Sequence, residues 1–336
     1  MKIEENYSLL PHNSFGVEAK ARWFVAYDRE EDLKKILSDE YFHSLPFFHI
    51  GSGSNLLFLS DYEGVILYSS LQGVEVISEE DEFVEVKVGA GVDWDELVAQ
   101  SVDKGWGGIE NLSGIPSQVG AAAIQNIGAY GCEVKDVIVS LTAFHVKTKE
   151  KKVFPNEACR YAYRYSIFKG EKKGEYIITS VTFRLTKQPV FNLEYGNLKE
   201  MLSGKEINLR TIRDAVISIR DSKLPDPKIC GNAGSFFMNP CICKTHYAEL
   251  KEAFPEMPFY PVSDETVKVP AGWLIDRCGL KGFQMGKAAV HDKQALVLVN
   301  KGGATGKDIA RLACFVQEKV KEKFGIELNP EVTYIG

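Results

Sequence analysis

The chain has 336 residues, of which 45% are hydrophobic and 26% are charged, and its formal net charge is −6. These proportions are typical of a soluble globular protein of roughly two or three domains. The acidic balance argues against a dedicated nucleic-acid binder, and no apolar run is long enough to span a bilayer. We recognise no signal peptide and interpret the seven scattered cysteines as reduced thiols, so we expect a cytoplasmic protein.

Strand and helix patterns alternate through the first half of the chain. Val84, Val86 and Val88 alternate with charged residues and predict a half-buried strand. Asp93 is placed to cap the next helix, with Glu96 as its capping-box partner. Further strands are predicted at residues 23–27, 137–146 and 176–185, and a further helix at 30–37.

The composition changes near residues 187–189, where we place a domain boundary. A helix after it carries one apolar face, formed by Ile212, Ala215, Val216 and Ile219. Thr305 is placed to cap the last long helix, and a final strand is predicted after Glu331. The pattern indicates a mixed α and β protein with several strand-rich layers.

Three loops rich in small residues lie in the first half, at residues 51–55, 105–116 and 120–131. Small residues leave backbone N–H groups free to face a pyrophosphate. Any one of these loops could be a plain turn, but three together suggest a long cofactor lying against the backbone. No Gly-x-Gly-x-x-Gly sequence occurs, so the usual dinucleotide fingerprint is missing.

Two other ligand-site patterns are weak. Residues 302–307 resemble a phosphate loop, but Asp308 stands where a Ser or Thr is needed for magnesium. Cys241, Cys243 and His246 could form part of a zinc site, but no second pair of ligands follows at a suitable spacing. We therefore expect no metal.

The stretch at residues 230–240 places Ser235 between a Gly-rich turn and two aromatic residues. Gly231 and Gly234 allow the backbone to approach a ligand closely. No His-Asp partner occurs in a nucleophile-elbow arrangement, so an acyl-transfer serine is not implied. Proton donation is the alternative function for this hydroxyl.

Basic residues suggest how an anionic substrate could be bound. Arg220, Lys223 and Lys228 surround a Pro-rich stretch just before the serine, where a phosphate would need positive charge. Arg164 lies among aromatic residues and could clamp a carboxylate with its two-pronged guanidinium. A surface arginine stacked on a tyrosine is the simpler alternative for that position.

Together these motifs resemble the UDP-N-acetylenolpyruvoylglucosamine reductase family, the flavoenzymes of bacterial peptidoglycan precursor synthesis. Tyr195-Gly196 with Leu198 is similar to the substrate-closing loop of the longer, type I branch. The other matching segments are Asn13-Ser-Phe15, Gly51-Ser-Gly-Ser-Asn55, Gly114-Ile-Pro116, Gln125-Asn-Ile-Gly-Ala-Tyr-Gly131, Tyr163-Arg-Tyr-Ser166, Lys223-Leu-Pro-Asp-Pro227, Gly231-Asn-Ala-Gly-Ser235, Ala271-Gly-Trp-Leu-Ile275 and Pro330-Glu331.

The resemblance implies an α+β protein with an FAD-binding fold of the vanillyl-alcohol-oxidase (PCMH) type. Two FAD-binding subdomains at residues 1–70 and 71–188 would precede a C-terminal α+β substrate domain at 189–336, with the return of its last strand to the first subdomain as an alternative. The implied cofactor is FAD, the reductant NADPH and the substrate UDP-N-acetylglucosamine enolpyruvate. A monomer is expected.

In the implied reaction NADPH reduces FAD, and the flavin N5 then delivers hydride to the enolpyruvyl C3, giving UDP-N-acetylmuramate. Arg164 and Glu331 would stabilise the charge that develops towards the substrate carboxylate, and Ser235 would give a proton to C2. Met238 departs from the family pattern, in which many members carry Lys, and this removes one charge near the diphosphate.

The resemblance also implies two sets of binding residues. The cofactor-binding set is Gly51, Ser52, Gly53, Ser54, Asn55, Ser113, Gly114, Ile115, Pro116, Gln125, Asn126, Gly128, Ala129 and Tyr130. The substrate-binding set is Tyr195, Lys223, Asn239 and Gln294.

Two other functions are compatible with parts of this pattern. An oxidase on the same flavin fold would pass electrons to oxygen, and such enzymes often tether flavin through His or Cys. No such residue is evident in residues 105–131, although Cys132 is close by. A UDP-sugar-binding protein without catalysis would purify without flavin absorbance.

Overall fold

The computed structural model describes residues 1–194 and 197–336, which form two compact units. Unit 1 consists of Met1–Tyr7, Ala21–Ser52 and Tyr62–Ser222. Unit 2 consists of Ser8–Lys20, Gly53–Asp61 and Lys223–Gly336. The three-domain division at residues 70 and 188 stays a prediction, because these units follow other boundaries.

Strands and helices alternate along the chain, as the sequence pattern predicts. The strands are β1 (Lys2–Ser8), β2 (Lys20–Tyr27), β3 (Phe47–Ile50), β4 (Leu56–Phe58), β5 (Tyr62–Ser69), β6 (Val74–Glu79), β7 (Phe83–Gly89), β8 (Gly128–Ala129), β9 (Cys132–Glu133), β10 (Ile138–His145), β11 (Lys151–Pro155), β12 (Tyr176–Thr186), β13 (Gly231–Ser235), β14 (Cys241–Cys243), β15 (Tyr260–Pro261), β16 (Thr266–Lys268), β17 (Gln284–Met285), β18 (Ala288–Val290), β19 (Val297–Asn300) and β20 (Thr333–Ile335).

The α-helices are α1 (Glu30–Ser38), α2 (Glu40–His43), α3 (Trp94–Asp103), α4 (Val119–Gln125), α5 (Leu198–Met201), α6 (Leu209–Lys223), α7 (Lys244–Ala253), α8 (Ala271–Arg277) and α9 (Gly306–Phe324). Short 3-10 helices occur at Leu10–His12, Glu110–Leu112, Val134–Asp136 and Asn156–Cys159. Within the two described ranges, no helix is both long and apolar enough to cross a membrane.

Unit 1 contains two larger sheets. The first has the order β1-β2-β5-β3, with β2, β5 and β3 parallel. The second is antiparallel with the order β11-β10-β12-β7-β6. The predicted alternation in β7 is confirmed, because Val84, Val86 and Val88 are fully buried in the core. Asp93 caps α3 by accepting the N–H groups of Asp95 and Glu96.

Unit 2 is organised around the sheet β13-β19-β18-β17 and the long helix α9. One face of α9 is buried against this sheet through Ile309, Leu312, Val316 and Val320. Thr305 forms the predicted cap, with Asp308 completing a reciprocal capping box. The last strand, β20, pairs in parallel with β4, whose residues lie within the range predicted for the first subdomain.

The histidine at position 49, on β3, is expected to make unit 1 sensitive to acid. Its Nε2 lies 2.7 Å from the Tyr27 hydroxyl, and burial lowers the pKa of the imidazole from 6.5 to about 4. The unfolded chain therefore takes up a proton at a higher pH than the folded chain, so stability is lost as pH falls from 6.5 to about 4. We expect this group to account for up to about 3 kcal/mol of unfolding free energy in urea titrations.

The variant His49→Gln tests this source of acid sensitivity, because glutamine does not titrate. It should flatten the pH dependence of the urea midpoint in that window. His43→Gln is the matched control, since His43 is an exposed histidine of unit 1 at the end of α2. An unchanged pH dependence in His49→Gln would contradict the prediction.

Candidate active site

A buried asparagine shapes the turn that presents Ser235. The Asn232 amide donates to the carbonyls of Pro225 and Cys230 at 3.0 and 2.9 Å. Its Oδ1 accepts the Gly234 N–H at 2.9 Å, and Gly234 has a left-handed φ of +66°. The exposed Ser235 therefore follows a backbone that is fixed from inside the protein.

The backbone after Ser235 brings Glu331 close to it in unit 2. The Met238 N–H donates to the Asn329 carbonyl at 2.9 Å, and the Glu331 N–H donates to the Phe236 carbonyl at 2.8 Å. Glu331 is thus hydrogen-bonded to the residue that directly follows Ser235. The backbone segments that carry Ser235 and Glu331, two of the three predicted catalytic residues, are therefore hydrogen-bonded to each other.

The second half of the first Gly-rich loop joins this region. The Asn55 amide donates to the Glu331 carbonyl at 3.2 Å, and the Thr333 N–H donates to the Asn55 carbonyl at 3.0 Å. Gly53 is buried, whereas Ser54 and Asn55 are partly exposed. These contacts place the predicted cofactor residue Asn55 beside a predicted catalytic residue within unit 2.

Two predicted substrate residues also serve the structure of unit 2. The Asn239 Oδ1 accepts the Ala271 N–H at 2.9 Å, at the start of α8. The Gln294 Oε1 accepts the Leu296 N–H at 3.4 Å. In both contacts the side-chain oxygen is the acceptor, so the amide NH₂ is the part best suited to donate to a ligand.

The predicted basic cluster is distributed over both units. Lys223 and Lys228 are exposed and belong to unit 2. Arg220 belongs to unit 1, where its Nε donates to the Gly114 carbonyl at 3.1 Å. The predicted substrate residue Tyr195 lies outside the described residues.

Arg164 sits in a strained two-residue turn of unit 1. Ala162 and Tyr165 exchange backbone hydrogen bonds of 3.1 and 3.0 Å, so Tyr163 and Arg164 form the tip. Arg164 has a φ of +54°, a conformation that costs a residue with a side chain about 1 kcal/mol. Its Nη2 donates to the Gly128 carbonyl at 2.7 Å. Strain of this kind is typical of functional positions.

The predicted cofactor residue Asn126 is a buried structural link. It ends α4 in the left-handed conformation, and its amide donates to the Ala162 carbonyl at 2.9 Å. Its Oδ1 accepts the Lys135 N–H at 3.2 Å. Both the amide NH₂ and the carbonyl oxygen of Asn126 thus have protein partners. Its role in cofactor binding stays a prediction.

The loop around Gly114 is fixed by charged side chains that sequence reasoning missed. The Gly114 N–H donates to the Asp95 carboxylate at 2.6 Å, and Arg213 makes two contacts of 2.6 and 2.8 Å to the same carboxylate. Burial alone would raise the pKa of Asp95, but the hydrogen bonds from Arg213 and Gly114 hold it below the usual value. Burial also lowers the pKa of Arg220 on the other side of the loop.

The first Gly-rich loop contains residue types that can bind phosphate. Gly51, Ser52, Ser54 and Asn55 are partly exposed, and such residues carry backbone N–H, hydroxyl and amide groups. The Ser113 hydroxyl, in contrast, is buried and donates to the Glu110 carbonyl at 2.6 Å.

Two sequence models of known domains match the chain. Residues 226–335 match the C-terminal domain of UDP-N-acetylenolpyruvoylglucosamine reductase. Residues 21–148 match an FAD binding domain.

Full-length relatives and a solved structure are similar to the chain as well. UDP-N-acetylenolpyruvoylglucosamine reductase of Bacteroides fragilis is 48% identical over 334 residues, which cover 99% of this chain and 100% of the relative. The enzyme of Porphyromonas gingivalis is 47% identical over 337 residues, with 100% of both chains covered. The crystal structure of the Thermus caldophilus reductase covers 100% of both chains with a TM-score of 0.71 and 24% identity, which shows a similar fold.

Proposed function

The chain belongs to the UDP-N-acetylenolpyruvoylglucosamine reductase family, and we propose that it reduces UDP-N-acetylglucosamine enolpyruvate to UDP-N-acetylmuramate for peptidoglycan synthesis, with FAD as cofactor and NADPH as reductant. The observation that carries this proposal is the end-to-end identity of about half the residues with reductases of this name. The predicted family, the α+β flavin-binding fold and the FAD cofactor are confirmed.

Bound FAD would supply the redox chemistry, which is hydride transfer from NADPH to the substrate by way of the flavin. The residues that we propose to hold it lie in the loops at 51–55, 113–116 and 125–130. Their glycines, hydroxyl groups and backbone N–H groups suit a diphosphate. The partly buried Arg220 beside Gly114 adds a positive charge at the second loop.

Arg164 is proposed to stabilise negative charge on the substrate. Hydride addition at C3 breaks the C2–C3 double bond and leaves electron density at C2, which spreads into the adjacent carboxylate. A guanidinium can meet this carboxylate with two parallel hydrogen bonds. The anchored turn fixes the guanidinium in advance, so little reorganisation is needed when the charge develops.

Ser235 is proposed to complete the reaction by donating its hydroxyl proton to C2. A serine is a weak acid, which suits transfer to a strongly basic carbanion. The resulting alkoxide can regain its proton from solvent, because Ser235 is exposed. Glu331 is proposed to support this charge redistribution from its place beside Ser235.

Lys223, Asn239, Gln294 and Tyr195 are proposed to bind the UDP-sugar. A monomer in the cytoplasm is part of the proposal and is tested by light scattering and cell fractionation.

Arg164→Lys should reduce turnover roughly 100-fold, since lysine cannot form the paired contact to a carboxylate. The matched control is Arg160→Lys. Arg160 is also left-handed, with a φ of +47°, but it pairs with Glu171 at 2.9 Å on the exposed surface. Steady-state rates with the UDP substrate should fall only for Arg164→Lys, and equal rates in both variants would remove Arg164 from the mechanism.

The proposed function is tested by NADPH oxidation without oxygen. Beyond the one equivalent of NADPH that reduces the bound flavin, the protein should consume NADPH only when UDP-N-acetylglucosamine enolpyruvate is added, and mass spectrometry should find a product with two additional hydrogens. NADPH consumption that requires oxygen would favour the oxidase. A protein that purifies without flavin and binds the UDP-sugar would favour the non-catalytic alternative.

A further inference from the structure

The hairpin formed by β8 and β9 has an unusual turn. Ala129 pairs with Cys132, so Tyr130 and Gly131 alone form the loop, with φ values of +48° and +78°. Two consecutive left-handed residues define a type I′ turn, in which Asn or Asp is normally favoured before Gly. A tyrosine at the first position needs support from outside the hairpin to hold this conformation.

Two asparagine amides supply that support within unit 1. Asn111 Nδ2 donates to the Tyr130 carbonyl at 3.0 Å and to the Asn192 carbonyl at 2.8 Å. Asn192 Nδ2 donates to the Gly131 carbonyl at 3.2 Å. Both carbonyls of the turn are therefore held by side-chain amides that are themselves connected.

The side chain of Asn111 makes these contacts although one of its own polar atoms is left without a partner among the described residues. Its side chain is buried, and its Oδ1 has no hydrogen-bond partner among residues 1–194 and 197–336. A buried acceptor without a partner is unfavourable. The two carbonyls that face the amide fix its orientation, because only the NH₂ group can donate to them.

The hairpin connects this network to Arg164. The Arg164 Nη2 donates to the carbonyl of Gly128, at the other end of β8. We propose that Asn111 is a positioning residue for the reduction of the UDP substrate, which holds the Tyr130–Gly131 turn and through it the Arg164 guanidinium. This inference rests on the proposed function, because it assumes that Arg164 stabilises the substrate carboxylate.

A double-mutant cycle tests the inference with the FAD-loaded protein. Asn111→Ala should slow reoxidation of reduced flavin by the UDP substrate roughly 100-fold, the loss expected from a displacement of about 1 Å. Flavin reduction by NADPH should change little. In an Arg164→Lys background the Asn111→Ala change should have almost no further effect, because a residue that acts through another is not additive with it.

The control variant is Asn156→Ala. The Asn156 amide also donates to two backbone carbonyls of unit 1, those of Lys135 and Ile138, both at 2.8 Å. It should change thermal stability without slowing the UDP half-reaction. If Asn111→Ala does not fold, Asn192→Ala should slow the same half-reaction, because it removes the amide that holds the Gly131 carbonyl. Asn192 is only partly buried, and the variant retains the backbone carbonyl that accepts from Asn111, so it should fold.

The results of these experiments distinguish the positioning role of Asn111 from the proposed role of Arg164. Additive losses in the double variant, or equal slowing of both half-reactions by Asn111→Ala, would overturn the positioning role. A normal UDP half-reaction in Arg164→Lys would instead overturn the proposed role of Arg164. Slowing by Asn111→Ala that disappears in the Arg164→Lys background supports both.

Discussion

Replacing Ser235 with alanine should slow reoxidation of reduced flavin by the UDP substrate roughly 10²- to 10⁴-fold, the range expected for loss of a general acid. NADPH should still reduce the flavin at nearly the normal rate. The turn is held by Asn232 and Gly234 rather than by the serine hydroxyl, so the variant should fold. Single-turnover measurements of each half-reaction, made without oxygen, give both rates.

The companion variant Ser235→Cys separates chemistry from structure. A thiol can also donate a proton, so this variant should retain more of the UDP half-reaction than the alanine variant. A similar loss in both half-reactions would show that Ser235 has a structural role. Equal rates for the alanine and cysteine variants would show that proton donation at this position does not limit the reaction.

Replacing Gly53 with alanine should destabilise unit 2 and weaken retention of FAD. Gly53 has a φ of +75°, and a Cβ there would lie 1.8 Å from the His12 carbonyl oxygen. The backbone must move, because a carbonyl of the main chain cannot rotate away as a side chain could. We expect a loss of roughly 2–4 kcal/mol from overpacking and left-handed strain combined, measured as unfolding free energy in urea.

Gly16→Ala is the matched control for this crowding. Gly16 also lies in unit 2 and has a φ of +60°, but a Cβ added there would meet no atom within 4 Å. It should lose only about 1 kcal/mol, the cost of the backbone conformation alone. Equal losses in the two variants would mean that the contact with His12 does not determine the need for glycine.

Local patterns in the sequence were sufficient to predict the elements that carry their own signals. Val84, Val86 and Val88 form the expected buried face of β7, and Thr305 caps α9 as expected. Alternation and capping depend on residues close in sequence, so they are visible without a fold. The resemblance of ordered motifs then indicated the family, which the similarity to full-length reductases confirms.

The contacts that fix the candidate site depend on residues far apart in sequence. The Asp95–Arg213 pair that holds Gly114 has no local signal, because Asp95 resembles any acidic residue in the first turn of a helix. Asn232 was visible only as part of a Gly-rich turn, not as the residue that anchors it. Tertiary packing decides such partners, and a single sequence does not encode them as a repeating pattern.

One protein is proposed both to oxidise NADPH and to reduce the UDP-linked enolpyruvate. The most direct test is a stopped-flow absorbance experiment without oxygen, in which NADPH is mixed with the protein and UDP-N-acetylglucosamine enolpyruvate is added afterwards. We expect NADPH to bleach the flavin bands and the UDP substrate to restore them rapidly. Bleached flavin that returns only when oxygen is admitted, or a protein without flavin bands, would contradict it.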